Sequence, residues 1–244
     1  LEVGVEVAKG LDDDARAWAA RDLPTTYHFL DINLDDPRDL DDDWLAAVRE
    51  LAGVLRPAWL CGDAGLWHFG RRDRGHMLLL PPILVPASIA PMADGLRALR
   101  EATCLEVLPE NPPGAAFVGD LHLLDFFARL AEAADTGLLL DCAHLAMFQR
   151  ARGHAPLTAF DGFPWDRVVE LHIAGGRLHD EAGLPWIEDD HGPEVLPDTW
   201  QIAAEAARRA PNLKAILVEC ERNPIPAVLP IFARARALLA PEAA

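Results

Sequence analysis

The sequence contains few basic residues for its size and no long uninterrupted hydrophobic run. Only 22 of its 244 residues are Lys or Arg, against 39 Asp or Glu, and the formal net charge is −17. Such a chain repels phosphate backbones, so we expect no nucleic-acid binding. Its longest apolar stretch, residues 78–93, is interrupted by prolines and is shorter than the roughly 20 residues that cross a bilayer. We therefore expect no membrane span. With no secretory signal at residues 1–8, we also expect a cytoplasmic location.

Paired cysteines are also missing. The four cysteines show no C-x-x-C spacing, and each lies inside or beside an apolar segment: Cys61, Cys104, Cys142 and Cys220. This pattern indicates buried thiols and argues against both a disulfide framework and a tetrathiolate zinc site.

Strand-like and helix-like segments alternate along the chain. Short apolar runs typical of buried parallel strands occur at 2–8, 26–32, 58–61, 104–109, 137–142, 167–174 and 214–220. Helical segments with acidic first turns, as at 11–14 and 39–43, follow some of them. Irregular stretches are expected at 62–76 and 174–198 and before 167. Seven strands and an eighth candidate at 76–80 predict an α/β fold, a (β/α)₈ TIM barrel that forms one domain over residues 1–244.

Acids or histidines end five of the apolar runs. They are Asp63, Glu110, Asp141, His172 and Glu219. Because the carboxyl ends of parallel strands meet at one mouth of a barrel, these side chains should converge, and buried carboxylates there need a cation or a donor. Asp189 and His191, two apart in a loop, add a carboxylate and an imidazole, a ligand pair that suits iron, manganese or zinc. The sequence therefore predicts a metal centre.

Each of these residues also has a purely structural explanation. A strand-end acid can cap a helix or pair with arginine. This structural explanation fits Asp63 and Asp141 best, because Asp favours caps and turns. His122 falls at helical spacing. His154 and His179 have no acid or histidine near them in the sequence at a spacing typical of metal ligands. The prediction of a metal centre therefore depends on the set and not on any single residue.

Five motifs in order resemble those of the DUF692 family, described as multinuclear non-heme iron-dependent oxidases. They are ENP at 110–112, LLLDCAH at 138–144, ELHIAGG at 170–176, DDHG at 189–192 and VECE at 218–221. The resemblance extends from the first strand to the last helix. It implies a TIM barrel with two or three irons that uses oxygen to modify a residue, often cysteine, of a ribosomally made precursor peptide. A small partner protein that presents the peptide is also implied.

Carried over position by position, the resemblance implies nine metal ligands: His28, Asp63, Glu110, Asp141, His144, His172, Asp189, His191 and Glu219. Three positions depart from the family pattern. Asp63 stands where the family has a histidine, with His68 as the nearby imidazole; His144 replaces an asparagine; and Gly176 replaces a second histidine. These departures predict a divergent member.

Two other functions fit the sequence. A divalent-metal sugar isomerase or phosphate-ester hydrolase of the xylose-isomerase-like group would also place Glu, Asp and His at strand ends. A barrel that serves as a scaffold or peptide binder without catalysis is the second alternative. Arg71, Arg72 and Arg74 fit either a contact to a peptide carboxylate or plain solvent-exposed charge.

Overall fold

The structure is a computed structural model that describes residues 1–70, 78–181 and 183–239. The strands within this part of the chain are β1 (Glu2–Val5), β2 (Thr26–Phe29), β3 (Leu60–Asp63), β4 (Val107–Glu110), β5 (Leu138–Asp141), β6 (Val168–Ala174), β7 (Gly176–Glu181), β8 (Leu184–Asp189) and β9 (Ala215–Glu219). The helices are α1 (Asp13–Ala19), α2 (Asp42–Leu55), α3 (Ile89–Thr103), α4 (Leu123–Ala134), α5 (Cys142–Ala151), α6 (Pro197–Arg209) and α7 (Ile225–Leu238).

Seven of the strands form one parallel sheet in the order β1-β2-β3-β4-β5-β6-β9. All six pairings in this sheet are parallel, and helices connect most of its neighbouring strands, so it curls into a nearly closed barrel with its helices outside. The predicted TIM-barrel class is confirmed, and all seven predicted strands coincide with strands of this sheet. None of the described helices is long and apolar enough to span a membrane. The single-domain boundary stays a prediction.

Acidic residues start the first two helices, as the sequence predicted. Asp12 accepts a hydrogen bond from the Ala15 N–H at 2.7 Å, and Asp41 accepts one from the Trp44 N–H at 2.9 Å. These caps satisfy backbone donors that have no partner inside the helix. Both helices therefore begin within these acidic runs, directly after the capping residue.

Three local predictions were wrong. Residues 143–151, expected to be irregular, belong to α5 (Cys142–Ala151), which starts directly at the end of β5 with no turn between them and is buried on nearly all sides. The stretch 174–198 contains the antiparallel pair β7 and β8, in which half of the residues are charged or histidine. The eighth strand at 76–80 is not found: residues 76 and 77 lie outside the described residues, and at 78–80 the chain makes only an isolated antiparallel bridge, Leu66 to Leu80.

Helix α3 packs at backbone contact against a loop of the barrel. Gly95 of α3 lies against the carbonyl oxygen of Leu34, and a Cβ at this position would stand 1.9 Å from that oxygen. Because Leu34 belongs to the loop that follows β2, the contact holds that loop against the helix. Only glycine permits this approach.

We predict that Gly95→Ala lowers the free energy of unfolding by about 1–3 kcal/mol, because the added methyl group forces the helix away from the loop. Gly53 of α2 is the matched control, since nothing lies within 4 Å of a Cβ there. Gly53→Ala should raise stability by about 0.5–1 kcal/mol through helix propensity. Urea denaturation of both variants checks this, and a Gly95→Ala protein as stable as wild type would contradict the packing.

Candidate metal centre

All nine residues predicted as ligands meet at one end of the barrel. Each has a ring nitrogen or carboxylate oxygen within 4.0 Å of another member of the set. Six of them come from the sheet: His28 on β2, Asp63 on β3, Glu110 on β4, Asp141 on β5, His172 on β6 and Glu219 on β9. The strand ends therefore converge as the barrel geometry predicts.

Glu110 lies at the centre of this network and is 1% exposed. Its Oε2 stands 2.7 Å from His28 Nε2, and its Oε1 stands 3.2 Å from His172 Nδ1. Asp63 lies beside them, with Oδ2 3.9 Å from His28 Nε2. Glu110 therefore links imidazoles from two different strands.

Glu219 extends the network toward the loop that carries the DDHG motif. Its Oε1 is 3.3 Å from His172 Nδ1, and its Oε2 is 3.6 Å from His191 Nε2. Asp189 Oδ2 in turn lies 3.4 Å from His191 Nε2 and 3.1 Å from His144 Nε2. Glu219 thus connects the barrel interior with the residues that follow β8.

Asn111 fixes the positions of Asp141 and His144. This role was not predicted from the sequence, although Asn111 lies within the ENP motif. Its Nδ2 donates to the Asp141 carbonyl at 3.0 Å, and its Oδ1 accepts from the Asp141 N–H at 2.9 Å. Its own carbonyl lies 2.8 Å from His144 Nδ1. Because a carbonyl can only accept, His144 carries a proton on Nδ1, and its Nε2 faces Asp189 as the nitrogen available to a ligand.

Asp141 has a structural task as well as its place in the network. Its Oδ1 accepts from the His144 N–H at 2.5 Å and so caps α5, as the structural explanation of this acid anticipated. Its Oδ2 is buried and has no hydrogen-bond partner among the described residues. Burial raises the pKa of Asp141 to about 7. One oxygen of this carboxyl is therefore committed to the fold, and the other is buried without a partner among the described residues.

His68 does not join the network. It is 1% exposed, its Nδ1 bonds the Gly70 carbonyl at 2.8 Å, and its Nε2 lies 2.8 Å from Asp39 Oδ2. Both ring nitrogens therefore lie against protein oxygens of Gly70 and Asp39 and not against the network. Asp63 is therefore the residue that faces the centre at this departure from the family pattern.

Gly175, which follows β6, lies against the backbone of the DDHG loop. A Cβ on Gly175 would stand 2.0 Å from the Gly192 carbonyl oxygen. This approach fixes the end of β6 against the DDHG loop, in which His191 has a left-handed φ of 47°. This contact helps to place His191.

Two carboxylates behind His172 were not predicted as part of the site. Glu2 Oε1 lies 3.2 Å from His172 Nε2, and Glu170 Oε1 lies 4.0 Å from it. Alternation along β6 places Glu170 on the side of the strand that His172 occupies, which was a usable signal. Glu2 starts the first strand, where nothing in the sequence marks it.

Besides His68, three of the described histidines lie outside the centre. His122 caps α4 by accepting from the Leu124 N–H at 3.1 Å, and its ring stacks on that of His154 with centroids 5.5 Å apart. His179 on β7 pairs with Glu188 at 2.7 Å and stacks on Trp186. Arg71, Arg72 and Arg74 lie outside the described residues.

The network holds more carboxylates than positive charges, which would favour a bound cation. Burial lowers the pKa of His28, but Glu2, Glu110 and Asp63 outweigh it and raise the pKa to about 10. Burial likewise opposes charging of His191, yet its hydrogen bonds to Asp189 and Glu221 raise its pKa to about 11. Histidines that hold protons this strongly are compensating an excess of carboxylate, a task that a metal cation would perform in their place.

Buried polar atoms without partners show that the residues fit a cation. Among the described residues, hydrogen-bond partners are lacking for Asp63 Oδ1, Glu110 Oε1, Glu219 Oε2 and both ring nitrogens of His172. Four groups of three described residues have ligand atoms within 4.8 Å of one another: Glu110 with His172 and Glu219, His28 with Asp63 and Glu110, Glu110 with Asp141 and His144, and Glu2 with Glu170 and His172. Carboxylate and imidazole ligands in this mixture suit iron, manganese or zinc.

We predict that Asn111→Ala lowers the free energy of unfolding by about 2–4 kcal/mol, because the buried N–H and carbonyl of Asp141 lose their side-chain partner. Asn212, whose exposed amide donates to the Asp166 carbonyl at 2.7 Å, provides the control. Asn212→Ala should cost about 1 kcal/mol or less. Chemical denaturation of the two variants gives the comparison, and equal losses would show that Asn111 does not organise the site.

The fold and the site together define a barrel with a carboxylate and histidine centre that could hold metal ions. A sequence model of the family described as "RiPP precursor modification enzyme MbnB/TglH/ChrH" matches residues 6–239. The chain therefore belongs to this family, which confirms the resemblance found in the motifs. The family acts on precursors of ribosomally synthesised, post-translationally modified peptides, and this membership implies an enzyme that binds metal and a peptide substrate.

Individual relatives are more distant. A UPF0276 protein of Anaeromyxobacter sp. is 26% identical over 201 residues, which are 81% of this chain and 68% of that protein. A UPF0276 protein of Neisseria meningitidis serogroup C is 25% identical over 210 residues, 84% of this chain and 72% of that protein. The chain thus spans about two thirds of the length of these relatives.

Solved structures share the fold. The TTHB071 protein from Thermus thermophilus, soaked with ZnCl2, has a TM-score of 0.57 at 19% identity, and the match covers 97% of this chain and 87% of that one. A xylose isomerase-like TIM barrel protein from Mycobacterium smegmatis in complex with magnesium gives 0.57 at 13% identity, with coverages of 94% and 80%. Endonuclease IV from Thermus thermophilus gives 0.59 at 16%, with coverages of 98% and 88%.

Proposed function

We propose that this protein is an iron-dependent oxidase that uses molecular oxygen to modify a residue, with cysteine as the expected target, of a ribosomally synthesised precursor peptide. Family membership supports the peptide substrate, and the ligand set supports the metal. The observation that carries the proposal is the placement of Glu110 and Glu219, each of which directs its two carboxylate oxygens to histidines on different elements. Shared carboxylates of this kind suit adjacent metal ions.

Three positions for iron follow from the contacts. Glu110, His172 and Glu219 would hold the first, and His28, Asp63 and Glu110 the second. His144 through Nε2, with Asp189 and His191, would hold the third, beside Oε2 of Glu219. Asp141 also groups with Glu110 and His144. Two or three irons would therefore be held by sets of residues that overlap at Glu110 and Glu219.

The protein supplies position, exclusion of water and access. Bound iron would supply the redox chemistry between oxygen and the substrate. Asp63, Glu110 and His172 are at most 5% exposed, so the inner positions lie away from bulk water. The side chains of Asp189, His191 and Glu219 are 19%, 25% and 20% exposed. A peptide would therefore approach from the DDHG loop, beside the third position.

Metal content tests the proposal directly. We predict two or three irons per chain in protein purified without oxygen, and loss of at least one of them in Glu110→Gln, which removes a charged ligand while keeping the side-chain volume. Glu101→Gln on the exposed surface of α3 is the control and should retain all of the iron. Mass spectrometry of metals gives the counts, and circular dichroism shows that both variants fold.

A second candidate, a divalent-metal isomerase of the xylose-isomerase-like group, is favoured by the fold shared with the magnesium-bound barrel of M. smegmatis. The metal counts distinguish the two functions. A single zinc, manganese or magnesium ion per chain would favour the isomerase, and protein with no metal would favour a scaffold or peptide binder.

Peptide modification is the second test. We predict that the iron-loaded protein changes the mass of a cysteine-containing precursor peptide encoded beside its gene, and only when oxygen is present. The Glu110→Gln variant should leave the peptide unchanged, because it lacks a shared ligand. Mass spectrometry of the peptide is the measurement, with any small partner protein encoded nearby added in a parallel reaction. A mass change without oxygen would contradict an oxidase.

The partner protein and the cytoplasmic location stay predictions.

A further inference from the structure

A second group of charged residues lies behind His172, toward the amino ends of the strands. Glu2 begins β1, and Glu170 precedes His172 by two residues on β6. Their carboxylates lie on the side of the imidazole that faces away from Glu110 and Glu219. The proposed ligand positions do not use these two acids.

The Glu2 carboxylate is held in place by two hydrogen bonds. Its Oε2 accepts from Thr26 Oγ1 at 2.8 Å and from Cys61 Sγ at 2.9 Å. The thiol stays protonated as a donor, because burial raises the pKa of Cys61 well above its ordinary value. These two hydrogen bonds occupy Oε2 and leave Oε1 for His172, 3.2 Å from Nε2.

His172 is fully buried and has carboxylates at both ring nitrogens. Nδ1 lies 3.2 Å from Glu110 Oε1 and 3.3 Å from Glu219 Oε1, whereas Nε2 lies 3.2 Å from Glu2 Oε1. A neutral imidazole has one N–H and one lone pair, and the partner of the N–H decides which nitrogen can bind a metal. Glu110 and Glu219 are proposed ligands, so the lone pair is needed on Nδ1.

We propose that Glu2 is a positioning residue that accepts the Nε2 proton of His172 and thereby presents the Nδ1 lone pair to the ion between Glu110 and Glu219. This inference rests on the proposed metal centre. It gives Thr26 and Cys61 a role as well, since they orient the carboxylate that orients the histidine.

A rival arrangement would place a further ion between Glu2, Glu170 and Nε2 itself, since their ligand atoms lie within 4.8 Å of one another. Glu170 Oε1 and His172 Nε2, which the rival ion would use, have no hydrogen-bond partner among the described residues. Two contacts nevertheless disfavour it. Glu2 Oε2 already accepts two hydrogen bonds, and Glu170 Oε2 accepts one from Trp59 Nε1 at 2.6 Å while its Oε1 stands 4.0 Å from Nε2, farther than the 3.2 Å of Glu2 Oε1. The rival becomes an outcome of the test.

Zinc binding and histidine NMR test the inference without measuring enzyme activity. We expect zinc affinity, measured by competition with a chelating dye, to fall about 10-fold in Glu2→Gln and about 100-fold in Glu2→Ala, with the number of bound ions unchanged. The amide of Gln keeps one acceptor oxygen, whereas Ala leaves none. Thr26→Val, which keeps the carboxylate and removes one of its donors, should weaken binding less than either variant. Glu50→Gln on the exposed face of α2 is the control.

The NMR readout reports the tautomer. In zinc-loaded wild type labelled with ¹⁵N-histidine, the His172 ring should carry its proton on Nε2 and bind zinc through Nδ1. In Glu2→Ala the Nε2 proton should exchange with solvent faster or be lost from the spectrum. Thermal unfolding of each variant without metal identifies any that fail to fold, in which case Thr26→Val decides.

Three results would overturn the inference. Unchanged affinity and an unchanged tautomer in folded Glu2→Ala would remove the role of Glu2 while leaving the metal centre intact. Loss of one bound zinc in Glu2→Gln would support the rival ion at Nε2. Wild-type protein that binds no metal would remove the proposed function and this inference together.

Discussion

The sharing of one buried carboxylate between histidines of different strands is the constraint on which the site depends. Glu110 is almost fully buried and contacts His28 through one oxygen and His172 through the other. An isolated carboxylate in such a place would be strongly disfavoured, because burial penalises the charged form by several kcal/mol. The charge persists because imidazoles surround it, and a metal cation would fill the same role. The barrel therefore buries an acid that is stable only with positive partners.

The surrounding framework explains how the side chains keep their places. Asn111 ties the end of β4 to the end of β5 and holds the ring of His144, while Asp141 caps the helix that carries this histidine. On the other side, Gly175 lets β6 touch the loop that presents His191. Backbone atoms, the Asn111 amide and the helix-capping carboxylate of Asp141 make these contacts. The orientation of the ligand atoms is thus set before any ion binds.

Much of this could be predicted from the sequence because strand ends follow a simple rule. Apolar runs marked the seven parallel strands, and the acid or histidine that ends five of them marked what would converge. The rule could not find α5, which begins directly after the last residue of β5, or the hairpin of β7 and β8, in which half of the residues are charged or histidine. Nor could it find Glu2, which acts at the start of a strand, or show that Asp39 and Gly70 engage His68. Such partners are set by tertiary packing, which no local pattern encodes.

The central claim is that Glu110 and Glu219 join adjacent ions in one centre. Anomalous X-ray scattering at the iron edge, recorded from crystals of iron-loaded protein grown without oxygen, tests it most directly. The account predicts at least two peaks, one among Glu110, His172 and Glu219 and a neighbour that shares Glu110 or Glu219. A single isolated peak, or iron bound away from these carboxylates, would contradict it.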